Sequence, residues 1–402
     1  MKNELPDGWE WKRLGDVCEK SQYGYTTSSS TKNKYGPRFV RTTDITNGFI
    51  DWSTVPFCDV PPENNEKYLL HDGDVLISRA GSVGASIVVK NPPNAVFASY
   101  LIRFQPTDSI EPDYLGYFLK SQYFMLQLGS TSSGTTLKGI NATNLSNIQV
   151  LVPPLETQHK IVSILEKVEE TKKLRAQADE LTQQLLQSVF LEMFGDPISN
   201  PKGWKTKKLK EISEKFSDGP FGSNLKSEHY TSNGIRVVRL QNIGVGTFID
   251  DDKAFISEEH FSTLKRHTCF PRDVLIGTMG SPNLRACILP NSIKIALNKA
   301  DCIQCRPCKN IAISEYICHL LNLPYTLQMA SNMIHGQTRS RISMGNLSVL
   351  EIPIPPLELQ QRFAEIVNQL SKTEQYQQQS SQELDNLFNT LMQKAFNGEL
   401  VS

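Results

Sequence analysis

Cys302, Cys305 and Cys308 stand three residues apart, with Cys318 ten residues beyond. Thiols at such spacing bind zinc or an iron–sulfur cluster when they converge on one point. The segment DCIQC, however, occupies the place that YLIRF takes earlier in the chain, so Cys302 and Cys305 align with Leu101 and Phe104 of a strand-like run. Residues three apart on a strand point to opposite faces. Only a turn at Pro307 would bring the thiols together; without one they are buried or partly exposed thiols, and no metal site is expected. Cys18, Cys58, Cys269 and Cys287 show no pairing pattern, and the seven histidines include no H-E-x-x-H spacing. No Ser/His/Asp grouping can be assembled, so no catalytic residue is assigned.

Asn91-Pro92-Pro93-Asn94 comes close to the Asn-Pro-Pro-aromatic motif with which adenine methyltransferases hold an extruded base. Position 94 offers no ring to stack, and no glycine-rich cofactor loop precedes it. A tight turn between two strands is the expected structure.

The elements that would position any site come from a repeat. DGWEWKRLGDV (7–17) matches KGWKTKKLKEI (202–212), and RFVRTTDI (38–45) matches RVVRLQNI (236–243). GDVLISRAGS (73–82) matches RDVLIGTMGS (272–281), and SSGTTLKGINATNL (132–145) matches IHGQTRSRISMGNL (334–347). PPLETQHK (153–160) then recurs as PPLELQQR (355–362). Within each block FVRTT, DVLIS and YLIRF, or RVVRL, DVLIG and DCIQC, alternate as half-buried strands do. One helix per block is expected near its end, in YLGYFLKSQYFMLQL and EYICHLLNLPYTLQM.

After each PPLE the pattern changes to a helical one, free of Gly and Pro until Gly195 and Gly398. In the first copy Ile161, Ile164, Val168, Thr171, Ala178, Leu185 and Val189 recur near a 3.5-residue period. In the second, Phe363, Ile366, Leu370, Thr373, Leu384, Leu387 and Leu391 keep a heptad. Each helix is expected to pair with the other as a coiled coil. Forty residues of helix run roughly 60 Å, more than a compact block of about 40 Å can bridge, so antiparallel pairing is expected. The fold class is thus α+β: two similar strand-rich domains separated by two long antiparallel helices, related as a pseudo-two-fold tandem repeat. The expected boundaries are 1–152 and 196–354 for the domains, and 153–195 and 355–402 for the helices.

Composition bounds the function. The chain has 402 residues, 39% apolar and 21% charged, and no stretch approaches a membrane span. MKNELPDGWEW is too polar for a signal peptide, so a cytoplasmic location with reduced thiols is expected. Formal charge is zero overall but −1 over 1–154 and +6 over 195–356, while each long helix is −2. A polyanion should therefore touch the blocks rather than the helices.

The segments DGPFGSNLKSEHY, GIRVVRLQNIG, RDVLIGTMGS and IPIPPLELQQR, with their first-half counterparts YGPRFVRTTDI, GDVLISRAGS and VPPLETQHKI, resemble the specificity subunit of type I restriction–modification systems. The resemblance spans the whole chain; SQYGYTTSSS departs from the pattern at the first loop. It implies a non-catalytic, sequence-specific reader of double-stranded DNA whose two target-recognition domains each take half of a bipartite site. The helices would set the spacer and dock two methyltransferase subunits, with restriction/translocase subunits joining for cleavage. No cofactor is implied for this chain; S-adenosylmethionine, ATP and Mg²⁺ would belong to the partners. The competing readings are a stand-alone adenine methyltransferase-like or metal-binding enzyme, and a coiled-coil scaffold.

Bases are read by polar side chains on loops that follow strands. The candidates in block one are Arg79 and Ser82, then Thr135, Thr136 and Lys138. In block two they are Thr278, Ser281, Asn283 and Arg285, then Gln337, Thr338, Arg339 and Arg341, with Asn224, Lys226 and His229 as a third loop.

Overall fold

The computed structural model describes residues 5–31, 35–130, 139–280, 282–331, 334–335 and 341–401. Its contacts divide the chain into two units, Met1–Ala176 with Gln379–Ser402, and Gln177–Gln378. Each unit therefore holds one block and a part of both long helices.

In the first unit, Glu10–Arg13 pairs antiparallel with Gln149–Val152, which leads into the long helix. A four-stranded sheet follows the order Gln22–Tyr23, Leu101–Phe104, Val75–Ser78, Ser86–Val88. A second sheet runs Ser29–Ser30, Phe57–Cys58, Arg38–Val40, Ala95–Phe97, with the last pair parallel. The second unit repeats this plan. Thr206–Lys208 pairs with Glu351–Pro353, and the four-stranded sheet is Ser213–Asp218, Cys302–Pro307, Val274–Gly277, Arg285–Ile288. Its other sheet gains a fifth strand, Thr268–Cys269, and keeps the parallel pair, Ile235–Val238 with Ala296–Asn298. The repeat read in sequence is a repeat of topology.

Cys302 and Cys305 are both buried on one strand but belong to different apolar cores. Burial pushes both thiols up to about 12. Residues 91–94 turn between the strands Ser86–Val88 and Ala95–Phe97, with Asn91 at φ 43° and its N–H on Asp72 Oδ1 at 2.7 Å. FVRTT departs from expectation: its strand ends at Val40, and Thr42–Ile45 is a helical turn. Asp44 accepts from the Arg41 N–H at 2.8 Å, and in the repeat Asn242 accepts from that of Arg239 at 2.9 Å. A side-chain cap of this kind competes with the sheet ladder. The single helix expected near each block's end is two, Pro112–Phe118 and Gln122–Ser130, then Ser314–Asn322 and Pro324–Ser331. Pro324 suits a first helical position but cannot continue a helix.

The long helices are Leu155–Phe194 and Leu357–Phe396, forty residues each. Gly195 (φ 81°) and Gly398 (φ 76°), beyond their ends, take the left-handed backbone that stops a helix. Within the first unit, Ile161 and Leu165 share a core with Met392 and Phe396, and Lys172 reaches Asp385 at 2.7 Å. Within the second, Phe190 and Phe194 meet Phe363 edge-on at 5.3 and 5.4 Å, and Gln377 donates to Thr182 at 3.0 Å. Numbering rises along one helix as it falls along the other, so the pairing is antiparallel in each unit.

One row of the expected seam faces inward in both helices, with Ile161, Val168 and Phe363 buried and Val189, Leu370, Leu384 and Leu391 half-buried. The second row is displaced by one residue. Leu185 and Leu387 are 50% and 46% exposed, and Thr171 and Thr373 are also exposed. Leu186 and Phe388 pack instead, as do Leu165 and Val367 in place of the half-buried Ile164 and Ile366. Ala178 is half-buried. Positions three and four along a helix lie on the same face, and the blocks choose between them: Tyr117 packs on Phe388 at 6.4 Å and Tyr316 stacks on Phe190 at 5.5 Å.

The repeated octapeptide has its explanation in Gln158 and Gln360, both 0% exposed. Gln158 accepts from the Glu111 N–H (2.8 Å) and donates to the carbonyls of Ser109 (3.2 Å) and Pro153 (2.8 Å). Gln360 accepts from the Ile313 N–H (3.1 Å) and donates to Ile311 (3.1 Å) and Pro355 (2.8 Å). One side chain thus ties the start of each long helix to its own block. The sequence carried this signal, a Gln at one place in both copies, but not its partners.

Candidate nucleic-acid interface

The two candidate loops of each unit meet through the backbone. In the first unit the Arg79 N–H donates to Tyr100 O at 2.9 Å, and its carbonyl accepts from the Ile140 N–H at 3.0 Å. In the second, the Thr278 N–H donates to Asp301 O at 3.1 Å and its carbonyl accepts from the Ile342 N–H at 3.1 Å. Residues 79 and 278 are repeat equivalents, so one stitch joins the loop after the central strand to the end of the SGTT-like loop in both units. Thr135, Thr136, Lys138, Ser281, Gln337, Thr338 and Arg339 lie outside the described residues.

Around this stitch the side chains differ between the units. In the first, the Arg79 guanidinium lies over the Tyr23 ring, 5.0 Å from its centroid. Tyr23 is 39% exposed, and its hydroxyl accepts from the Ala142 N–H at 2.9 Å. Neither Tyr23 nor this bond was expected from sequence. Gly24, next in the chain, lies so close to its neighbour that a Cβ there would sit 2.3 Å from Ala98 O; at the equivalent Gly219 it would sit 2.1 Å from the Lys299 carbonyl carbon. Ser82 is exposed on the loop, its carbonyl bonded to the Ala85 N–H at 3.0 Å.

In the second unit, two expected readers hold the loops instead. Thr278 is 2% exposed, and its hydroxyl donates to Asp301 O at 3.0 Å. Arg285 donates to four carbonyls, those of Ile243 (2.6 Å), Met279 (2.7 Å), Leu240 (2.9 Å) and Pro282 (3.2 Å). A guanidinium with its N–H groups so committed has few left for a base edge. Asn283 is half-buried. Arg341 is exposed, 3.5 Å from Asp301 across the stitch.

Asn224 and Lys226 are exposed on the third loop. Asn224 Nδ2 donates to Phe221 O at 3.2 Å, and Lys226 lies 3.5 Å from Glu228. His229 stacks on His260 with centroids 4.0 Å apart. Asn224, Arg266, His267 and Met344 line one cleft of about 370 Å³ beside Gly219. Arg266 Nε donates to His267 Nε2 at 2.8 Å, which leaves the Nδ1–H for Asp218 O at 2.6 Å. Burial, more than this neighbouring cation, lowers the His267 pKa, which favours the neutral ring.

A buried carboxylate underlies each central strand. Asp74 faces Arg103 at 3.4 Å, and Asp273 takes two bonds from Arg306 at 2.8 Å each. Among the described residues, no cluster of three His, Cys, Asp or Glu side chains could hold a metal ion.

A second feature also occurs once per unit. A groove of about 570 Å³ in the first is lined by Lys120, Ser121 and Gln122 with Phe388, Asn389 and Met392. One of about 540 Å³ in the second is lined by Asn322, Leu323 and Pro324 with Leu186, Gln187 and Phe190. These two sets correspond residue by residue at an offset of 202. No helix among the described residues is long and apolar enough to cross a membrane.

Comparison with known proteins agrees with this duplicated plan. The model of the type I restriction modification DNA specificity domain matches twice, over residues 6–183 and 201–386. The MjaVIII specificity subunit of Methanocaldococcus jannaschii is 20% identical, covering 98% of this chain and 94% of its own. The EcoKI specificity subunit of Escherichia coli K12 is 22% identical, covering 99% and 90%. A solved structure from work on complex assembly and conformational transition of the type I R-M system shares the fold, with a TM-score of 0.64 at 22% identity over 99% of this chain and 100% of that one. The S subunit from M. genitalium gives 0.54 at 16% identity, over 98% and 97%. The chain belongs to the type I restriction–modification DNA specificity family, and it is a specificity subunit with two target-recognition domains.

Proposed function

We propose that each unit reads one half of a bipartite duplex site through the loops joined at residues 79 and 278. The recurrence of that backbone stitch, with different side chains around it, carries the reading: a common frame presents two different chemistries, as two unlike half-sites require. Phosphate contacts would position the units, and loop side chains would specify bases. The paired long helices would fix the unspecified spacer.

The chain itself is non-catalytic in this reading. Two methyltransferase subunits dock on it, and the two equivalent grooves support that number. S-adenosylmethionine serves those partners, while ATP and Mg²⁺ serve the restriction/translocase subunits, all in the cytoplasm. The near-neutral charge of this chain fits an assembly whose partners supply much of the phosphate contact.

Co-expression with the methyltransferase subunit of its own system, followed by methylation mapping of host DNA, tests this. One bipartite motif with a constant spacer is expected. Absence of any methylation that depends on this chain would count for a scaffold instead.

A further inference from the structure

Among the described arginines, Arg79 alone makes no hydrogen bond or ion pair through its guanidinium; the others meet a carboxylate, a carbonyl, a ring nitrogen or another partner. Its Nε is buried and unpartnered. An Nε–H left in this state forgoes water without a replacement, while the terminal nitrogens of the half-buried side chain are not enclosed in this way. Its position is nonetheless closely determined. The backbone is held on both sides, by Tyr100 O and by the Ile140 N–H, and the Tyr23 ring lies under the guanidinium. That ring is in turn pinned by the Ala142 N–H and by the strand pairing of Tyr23 with Ile102.

We propose that Arg79 reads a guanine in the half-site taken by the first unit, with Tyr23 as its positioning residue. This rests on the reading of the chain as a DNA-recognition subunit. A planar fork with its donors free matches guanine O6 and N7, the commonest specific contact in the major groove. The aromatic ring limits the conformations that the long side chain must give up on binding. The second unit has no counterpart, because Thr278 stands at the equivalent place with its hydroxyl committed to Asp301. The effect is therefore confined to one half-site.

The test uses the full chain assembled with its methyltransferase subunits, in the wild type and as R79A, R79K, Y23F and Y23L. Methylation mapping defines the motif, and competition between duplexes that differ at single base pairs measures preference. The wild type should require a G·C pair in one half-site. R79A should lose roughly 5- to 150-fold of the preference for guanine there, with the other half-site unchanged. Y23L should lose part of that preference, and Y23F, which keeps the ring, less. An unchanged motif in R79A overturns the proposal, as does a motif without guanine. Equal weakening on every duplex also overturns it, since that marks a phosphate contact. Should R79A fail to assemble, R79K decides: it keeps the charge but not the fork, and undiminished preference for guanine refutes the assignment. A wild-type complex that methylates no bipartite site refutes the function reading instead.

Discussion

Gln360→Leu removes the tie between the second long helix and its block while nearly keeping the side chain's volume. Gln360 is fully buried and makes three hydrogen bonds, all to backbone groups. Leucine leaves the Ile313 N–H and the carbonyls of Ile311 and Pro355 without that partner. A buried group orphaned in this way costs about 1–3 kcal/mol, carbonyls less than N–H groups. Extra apolar burial by leucine returns about 1–2 kcal/mol. The net loss should be about 3 kcal/mol, a local opening equilibrium raised roughly 100-fold. Hydrogen exchange of the full chain should show the Ile313 amide losing protection by that factor, and urea unfolding should show the second unit destabilised. Gln360→Glu should be worse, since the carboxylate keeps the acceptor but loses both donors and buries a charge. Gln158→Leu should act in the same way on the first unit, and the double variant should be additive, because the two glutamines share no hydrogen-bond partner. Unchanged Ile313 protection, or a loss below about 0.5 kcal/mol, would falsify the reasoning, because it would show these bonds to be replaced by water at no cost.

Gly219→Ala should destabilise the second unit by at least about 2 kcal/mol, because its Cβ would meet the Lys299 backbone, which cannot swing away as a side chain can; thermal melting measures this, and a shift within error sinks the close-approach argument. His319 packs edge-on against Phe363 and is held down to about 4 by burial, against a smaller upward pull from Glu315. The unfolded chain therefore takes up this proton first as pH falls below about 6.5. Stability supplied by neutral His319 is full above that pH and is lost toward pH 4; unfolding measured across the window should be flatter in His319→Leu, and equal slopes reject the assignment. Matched four-residue insertions in both long helices add about 6 Å, so the spacer of the methylated motif should lengthen by about two base pairs at 3.4 Å each. A changed half-site with the old spacer contradicts the proposed division between domains and helices.

Much of this protein was legible in its sequence, and for a local reason. Strand and helix periods, proline pairs before a helix and glycine after it are properties of neighbouring residues. The duplicated plan, the two long helices and the opposite faces of Cys302 and Cys305 could therefore be read directly. What could not be read depends on partners far along the chain. Arg285 and Arg79 are equally plausible readers as residue types, yet Arg285 is bonded to carbonyls as distant as Leu240 and Ile243, whereas Arg79 rests on Tyr23 with its donors free. The helix seam slipped by one residue for a related reason: periodicity narrows the inward face to two adjacent positions per turn, and only packing against Tyr117 and Tyr316 selects between them. Residue type says what a side chain can bond to; the tertiary structure decided which of those bonds were already made.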